Sequence, residues 1–127
     1  MPLTPPPIKP RVLVIERDIS IQKRIARSLE GAYTIDLTSS GSLALLLMKD
    51  YRYACIVASA ELPNRHYGTG ILHAIRSMPG GRYVPIIATL SEGAAAEAAA
   101  DFTTALQLPD DIHRIGAVIA GTLETWD

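Results

Sequence analysis

The sequence predicts an α/β domain in which five parallel strands form a central sheet and helices cover both of its faces. From Arg11 onward, short apolar runs alternate five times with helix-length amphipathic segments, a pattern typical of a doubly wound sheet. Three of these runs are apolar without interruption, as expected of strands that are buried on both faces. A chain of 127 residues is long enough to bury one such core without disulfides or metals.

The predicted elements follow from where these runs begin and end. The five strands are Val12–Glu16, Thr34–Leu37, Ala54–Ser59, Val84–Thr89 and Ala105–Leu108. The first, third and fourth strands are the unbroken apolar runs, so we place them in the centre of the sheet. The five helices are Ile19–Glu30, Gly41–Lys49, Thr69–Met78, Glu92–Asp101 and Asp110–Thr125. Asp18 is expected to cap the first helix and Gly31 to end it.

The first ten residues differ in composition from the rest of the chain. Five of them are proline, which predicts an extended, flexible tail before a single domain over residues 11–127. The tail lacks the apolar core of a signal peptide, and no apolar stretch reaches the roughly 18 residues of a membrane span. The expected location is therefore the cytoplasm, with no membrane partner.

Charge and cysteine content exclude several classes of function. Twelve basic and thirteen acidic residues give a net charge of -1, and the basic residues are scattered along the chain. Nucleic-acid binding usually requires a clustered basic face, so neither nucleic acid nor another polyanion is expected as a partner. Cys55, the single cysteine, lies within an apolar run and is predicted to be buried and unreactive.

Five segments follow one another in the order of a known signalling domain. They are a strand with an acidic end, a strand with a leucine–proline turn, a glycine followed by a helix, an apolar fourth strand and a leucine–proline step: Arg11–Asp18, Ala54–Pro63, Gly68–Arg76, Val84–Ser91 and Leu108–Pro109. In this order they resemble the CheY-like receiver domain of bacterial response regulators in two-component systems. The resemblance implies a flavodoxin-like (βα)5 fold in three layers, structural roles for Pro63, Gly68 and Pro109, and a cis bond before Pro109.

The positions that carry the family's phosphoryl transfer differ in this chain. The resemblance implies an aspartate acceptor, but Ser59 stands there, and a serine hydroxyl needs a nearby general base to act as a nucleophile. His66 and His73 are the nearest histidines in sequence, and we interpret them as a loop residue and a helix-surface residue. The acidic pair of the magnesium site corresponds to Glu16 and Arg17, and a guanidinium offers magnesium no oxygen ligand. No catalytic residue, metal or cofactor is therefore expected.

Two further positions of the receiver pattern are altered. Leu108 stands where the resemblance implies a lysine that neutralises the phosphoryl group. Leu90 stands where it implies a hydroxyl residue, with Thr89 one place early, and a shift of one residue moves a side chain to the other face of a strand. Arg17 either points to solvent or fills the vacated metal position by pairing with Glu16, Asp18 or Glu61.

These alterations predict a pseudo-receiver that is not an enzyme and acts by binding another signalling protein or a second copy of itself as a homodimer. The expected contact face combines Glu92–Asp101, Ala105–Leu108 and Asp110–Thr125. Two alternatives stay open. One is an atypical response regulator phosphorylated on a non-standard carboxylate such as Glu61 or Asp18. The other is a flavodoxin-like domain that binds a small ligand at the carboxyl ends of its strands.

Overall fold

The computed structural model describes residues 9–59, 69–90, 104–108 and 110–125. Several sequence-based predictions lie outside these ranges and are not tested by the structure. They concern the proline-rich segment up to residue 8, the helix over Glu92–Asp101, and the positions Glu61, Pro63, His66, Gly68 and Pro109.

Five parallel strands form one sheet in the order β2-β1-β3-β4-β5. The strands are β1 (Arg11–Ile15), β2 (Thr34–Thr38), β3 (Cys55–Ser59), β4 (Ile86–Leu90) and β5 (Thr104–Gln107). The described helices are α1 (Ile19–Leu29), α2 (Gly41–Asp50), α3 (Thr69–Arg76) and α4 (Ile115–Thr125), and a short 3-10 helix over Ile112–Arg114 precedes α4. The predicted fold class is confirmed, and so is the placement of the first, third and fourth strands in the centre. None of the described helices is long and apolar enough to cross a membrane.

Three predicted boundaries are wrong by two residues or more. β4 begins at Ile86 and not at Val84, because Pro85 has no N–H for the ladder, although its carbonyl accepts a bond from the Ile56 amide at 3.0 Å. α3 ends at Arg76, where tighter turns replace the helix. The last helix begins at Ile115, after the 3-10 helix, and not at Asp110. The other described boundaries differ from the predicted ones by one residue at most.

Side chains fix the start of α1 and α2. The Asp18 carboxylate accepts hydrogen bonds from the amides of Ser20 at 2.8 Å and Ile21 at 3.2 Å, which confirms its predicted role as the N-cap of α1. The Ser40 hydroxyl accepts from the Leu43 amide at 3.2 Å and caps α2 in the same way. Gly31 follows α1 with φ of +87°, a backbone conformation that glycine adopts without steric cost.

The side chains of each central strand alternate between two apolar cores, one on each face of the sheet. The core under α2 and α3, called the α2/α3 core, contains Leu13, Ile15, Ile56, Ala58, Ile86, Ala88 and Leu90. The core under α1 and α4, called the α1/α4 core, contains Val12, Val14, Cys55, Val57, Ile87, Leu106 and Leu108. Cys55 is fully buried, as predicted, and burial raises the pKa of its thiol to about 12.

A polar network closes the amino-terminal edge of the sheet. The Arg11 guanidinium pairs with the Asp36 carboxylate at 2.8 Å, and the Tyr53 hydroxyl donates to the same oxygen at 2.6 Å. The guanidinium also lies 4.2 Å from the centre of the Tyr51 ring, a cation–π distance. These contacts link β1 and β2 to the segment that enters β3.

The turn after α3 passes very close to the end of that helix. The Gly81 amide donates to the Met78 carbonyl at 3.0 Å. A Cβ atom on Gly81 would lie 2.0 Å from the carbonyl oxygen of Ile75, closer than any real contact allows. Glycine is therefore required here for space.

Candidate functional site

The carboxyl ends of the central strands bring the predicted site positions into one row. In the sheet register, Ser59 is the partner of Thr89, and Thr89 is the partner of Leu106. Ile15 pairs with Ala58, so the next residue on each strand places Glu16 beside Ser59. Partners in a parallel sheet point to the same face, which here is the face of the α1/α4 core.

Glu16 is held by the turn that leads into α1. It is only 6% exposed, and its Oε2 accepts a hydrogen bond from the Asp18 amide at 3.0 Å. Its backbone amide donates to the Thr38 carbonyl at 2.9 Å, while its own carbonyl accepts from the side-chain amide of Gln22. Sequence reasoning missed Gln22, although a glutamine next to the apolar face of a helix is a signal for a buried polar contact.

Arg17 and Asp18 do not complete a metal site with Glu16. The Arg17 side chain is exposed and, within the described part of the chain, forms no ion pair with Glu16 or Asp18. The structure therefore favours an Arg17 side chain that points to solvent over one that pairs with Glu16 or Asp18. The Asp18 carboxylate is exposed and is used as the cap of α1.

The described residues of this row are a poor ligand set for a magnesium ion. Magnesium is typically held by one or two carboxylates together with water. Among the described residues of the row, Glu16 is the single carboxylate, and one of its oxygens is already bonded to a backbone amide. Ser59 supplies a neutral hydroxyl, which is a weaker ligand for magnesium than the carboxylate that the resemblance implies at this position. In the ranges that the structure describes, no three His, Cys, Asp or Glu side chains are grouped so that they could hold a metal.

Thr89 and Leu90 occupy opposite faces of β4. Thr89 is 2% exposed and lies level with Ser59 in a ladder that is regular from Ile56 to Ser59. Thr89 therefore reaches the level of Ser59 without a slip or bulge in β4. Leu90, the position expected from the resemblance to hold the hydroxyl, packs in the α2/α3 core.

Leu108 is part of the apolar interior. It is 5% exposed and packs in the α1/α4 core. Its amide donates to the Leu90 carbonyl at 2.7 Å, which continues the pairing of β4 and β5 beyond the strand end. The position where the resemblance implies a lysine therefore contributes packing and no positive charge.

Several exposed side chains in the described part of the predicted contact face are small. β5 stands at the edge of the sheet, and its Ala105 is exposed. On α4, Ala117, Ala120 and Gly121 are also exposed. His73, predicted to lie on a helix surface, is exposed in the last turn of α3.

Known structures share this fold over most of the chain. The receiver domain of a sensor histidine kinase from Pseudomonas aeruginosa, crystallised with a magnesium ion in its active-site cleft, matches with a TM-score of 0.81 and 23% identity, covering 92% of this chain and 99% of that one. The chemotaxis response regulator CheY4 of Vibrio cholerae matches with a TM-score of 0.73 and 19% identity, covering 87% and 98%. An orphan response regulator from H. pylori matches with a TM-score of 0.75 and 18% identity, covering 93% and 99%.

These likenesses show that the chain has the receiver fold. No protein-family model matches the sequence, and a comparison with curated proteins also gives no match.

Proposed function

We propose that this chain is a pseudo-receiver, a signalling module that keeps the receiver fold but acts through protein contact without accepting a phosphoryl group. The main observation in support is the row at the strand ends, where Ser59 stands between Glu16 and Thr89. This row offers one carboxylate and two hydroxyls. Leu108, at the position of the expected lysine, is buried in the apolar core.

A phosphoryl group on this row would lack the two cations that the resemblance implies, a magnesium ion and a lysine ammonium group. Phosphoryl transfer depends on cations aimed at the oxygens of the transferring group. Arg17 is exposed, Leu108 is apolar, and the described residues of the row are a poor ligand set for magnesium. The differences at the acceptor, the magnesium site and the lysine position therefore all disfavour phosphorylation.

A non-standard acceptor is the competing function. Asp18 is the described candidate, but its carboxylate already accepts two amide hydrogen bonds at the start of α1. Phosphorylation there would convert the capping carboxylate into a bulkier acyl phosphate and disturb these two hydrogen bonds. Glu61 lies outside the described residues, so the experiment must cover both positions.

Incubation with acetyl phosphate and magnesium, followed by intact-mass measurement, tests the proposal. We expect no gain of a phosphoryl group by the wild-type protein. The Asp18→Asn and Glu61→Gln variants serve as matched controls. A magnesium-dependent gain that one of these variants abolishes would overturn the proposal and identify the acceptor.

The proposed partner is another signalling protein or a second copy of this chain, in the cytoplasm and without nucleic acid. We propose that the contact involves β5 and α4, together with the segment Glu92–Asp101. Small exposed side chains at Ala105, Ala117 and Ala120 support this, because they allow another backbone to approach closely.

Sedimentation equilibrium and co-purification test this contact face. Ala120→Arg should abolish self-association or partner capture, because a long charged side chain would block close approach. Ala32→Arg is the matched control, since Ala32 is also exposed but lies in the turn after α1. A wild-type protein that stays monomeric and captures no partner would contradict the proposal.

A further inference from the structure

A concave surface lies at the amino ends of β3 and β4, at the other end of the strands from Ser59. It is a cleft of about 880 Å³, within the range of small-molecule sites. Its walls come from the segments that enter β3 and β4 and from the turn after α3. Three arginines, Arg52, Arg76 and Arg82, line it together with apolar side chains that include Met78 and Pro85.

The charge in this cleft is one-sided. The described lining residues include three guanidinium groups and no carboxylate, although the whole chain carries a net charge of -1. None of the three arginines forms an ion pair with another described residue. Asp50, an acidic residue, lines an adjoining hollow that shares Arg52. The sequence does not reveal this clustering, because the three residues come from separate segments.

Arg76 is fixed within the cleft and not free in solvent. Its side chain is half-buried, and Nη1 donates to the carbonyl oxygens of Gly81 and Val84. Burial lowers the pKa of its guanidinium, and no described carboxylate compensates for the buried charge. The N–H groups on Nε and Nη2 have no hydrogen-bond partner among the described residues. A guanidinium held in this way is pre-organised to bind an oxyanion with two N–H groups.

The mouth of the cleft adds an aromatic surface. The Tyr83 side chain is 69% exposed, and the Arg82 guanidinium lies 5.5 Å from the centre of its ring. A tyrosine ring paired with an arginine gives a flat surface on which another ring stacks. The apolar walls at Met78 and Pro85 favour a ligand with a non-polar part.

We propose that this cleft binds a small molecule that carries both a phosphate group and a planar ring, as a nucleotide does. Three guanidinium groups match a group with more than one negative charge better than a single carboxylate. The ring would lie against Tyr83 and the apolar wall, and the phosphate would bind Arg76 with Arg52 and Arg82. The site is at the opposite edge of the sheet from the strand ends where α/β domains usually bind ligands.

Calorimetric titration of the full chain at low salt tests the proposal, with ADP, adenosine and inorganic phosphate as separate probes. ADP should bind at least about tenfold more tightly than either adenosine or phosphate. Arg52→Gln and Arg82→Gln should each weaken ADP binding about tenfold. These side chains are exposed and have no hydrogen bond to described residues, so the substitutions leave the fold intact. Tyr83→Ala should weaken ADP and not inorganic phosphate.

Arg27→Gln is the matched control, because Arg27 is exposed on α1 and does not line the cleft. It should bind ADP like the wild type. No saturable binding of ADP at about 1 mM would overturn the proposal, and so would equal binding by the Arg52 and Arg82 variants. Adenosine that binds as tightly as ADP would contradict the proposed role of the phosphate group. Inorganic phosphate that binds as tightly as ADP would contradict the proposed role of the ring.

Discussion

The substitution Ser59→Asp restores the carboxylate that receiver domains use as their acceptor, and we expect it to fail as a phosphoacceptor. The new carboxylate would lie beside Glu16, which is 6% exposed. Arg17 supplies no second acid for magnesium, and Leu108 supplies no ammonium group for the phosphoryl oxygens. The variant therefore gains a carboxylate without the cations that would stabilise a phosphoryl group on it.

The electrostatic cost of this charge follows from the register of the sheet. Neighbouring strands are about 4.8 Å apart, so the carboxylates at positions 16 and 59 would be about 5.5 Å apart. At an effective dielectric constant near 20, the two negative charges repel each other by about 3 kcal/mol. Ser59 is half-buried, and solvent screening reduces this to about 1–2 kcal/mol.

Ser59→Asn is the matched control, because asparagine has the shape of aspartate without its charge. At neutral pH, urea unfolding should show the Asp variant to be about 1–2 kcal/mol less stable than the Asn variant. The difference should shrink in acid, where one carboxylate is protonated. Magnesium-dependent phosphorylation of Ser59→Asp by acetyl phosphate, read by intact mass, would refute the reasoning. Equal stability of the Asp and Asn variants would show that Glu16 and position 59 are not neighbours.

Three other predictions concern stability. Tyr53→Phe removes a hydrogen bond to Asp36 and should lower the free energy of unfolding by about 1–2 kcal/mol. Burial, and then that bond, raises the pKa of Tyr53, so this stabilisation should hold below about pH 10 and decline above it in urea unfolding. A hydrogen bond from the backbone amide of Gln107 lowers the pKa of Asp111. The Asp111→Asn variant should therefore be less stable than wild type at neutral pH. This difference in the free energy of unfolding should close as the pH falls below about 4. An unchanged difference in acid would contradict this. Leu108→Ala should cost about 2–4 kcal/mol in thermal or urea unfolding, and a negligible cost would place Leu108 outside the core.

The sheet could be predicted because its central strands are apolar on both faces. Val12, Val14, Val57 and Ile87 pack on one side while their neighbours pack on the other, and this leaves an unbroken apolar run in the sequence. The boundaries of the strands and helices were harder to predict, because backbone hydrogen bonds determine them and the periodicity of apolar residues does not. Pro85 moves the start of β4 to Ile86, and a 3-10 helix replaces the predicted first turn of the last helix.

The candidate site could be predicted only in part. Motif order located Ser59 and Glu16 at the strand ends and aligned the hydroxyl position with Leu90. The register shows that Thr89 is level with Ser59, and a pairing between strands cannot be read from one strand. The arginine cleft has no sequence signal, because charge was counted along the chain while Arg52, Arg76 and Arg82 converge only in the folded structure.

The glycines of this chain should differ in what evolution can substitute for them. Gly31 and Gly80 have positive φ, with no atom within 4 Å of an added Cβ, so asparagine is the natural replacement in a diverged sequence. Gly81 has no such unusual φ but would place a Cβ against the backbone of α3. Asparagine fails there as surely as any other side chain. A saturation library selected for folding should therefore recover asparagine at positions 31 and 80, and glycine alone at position 81.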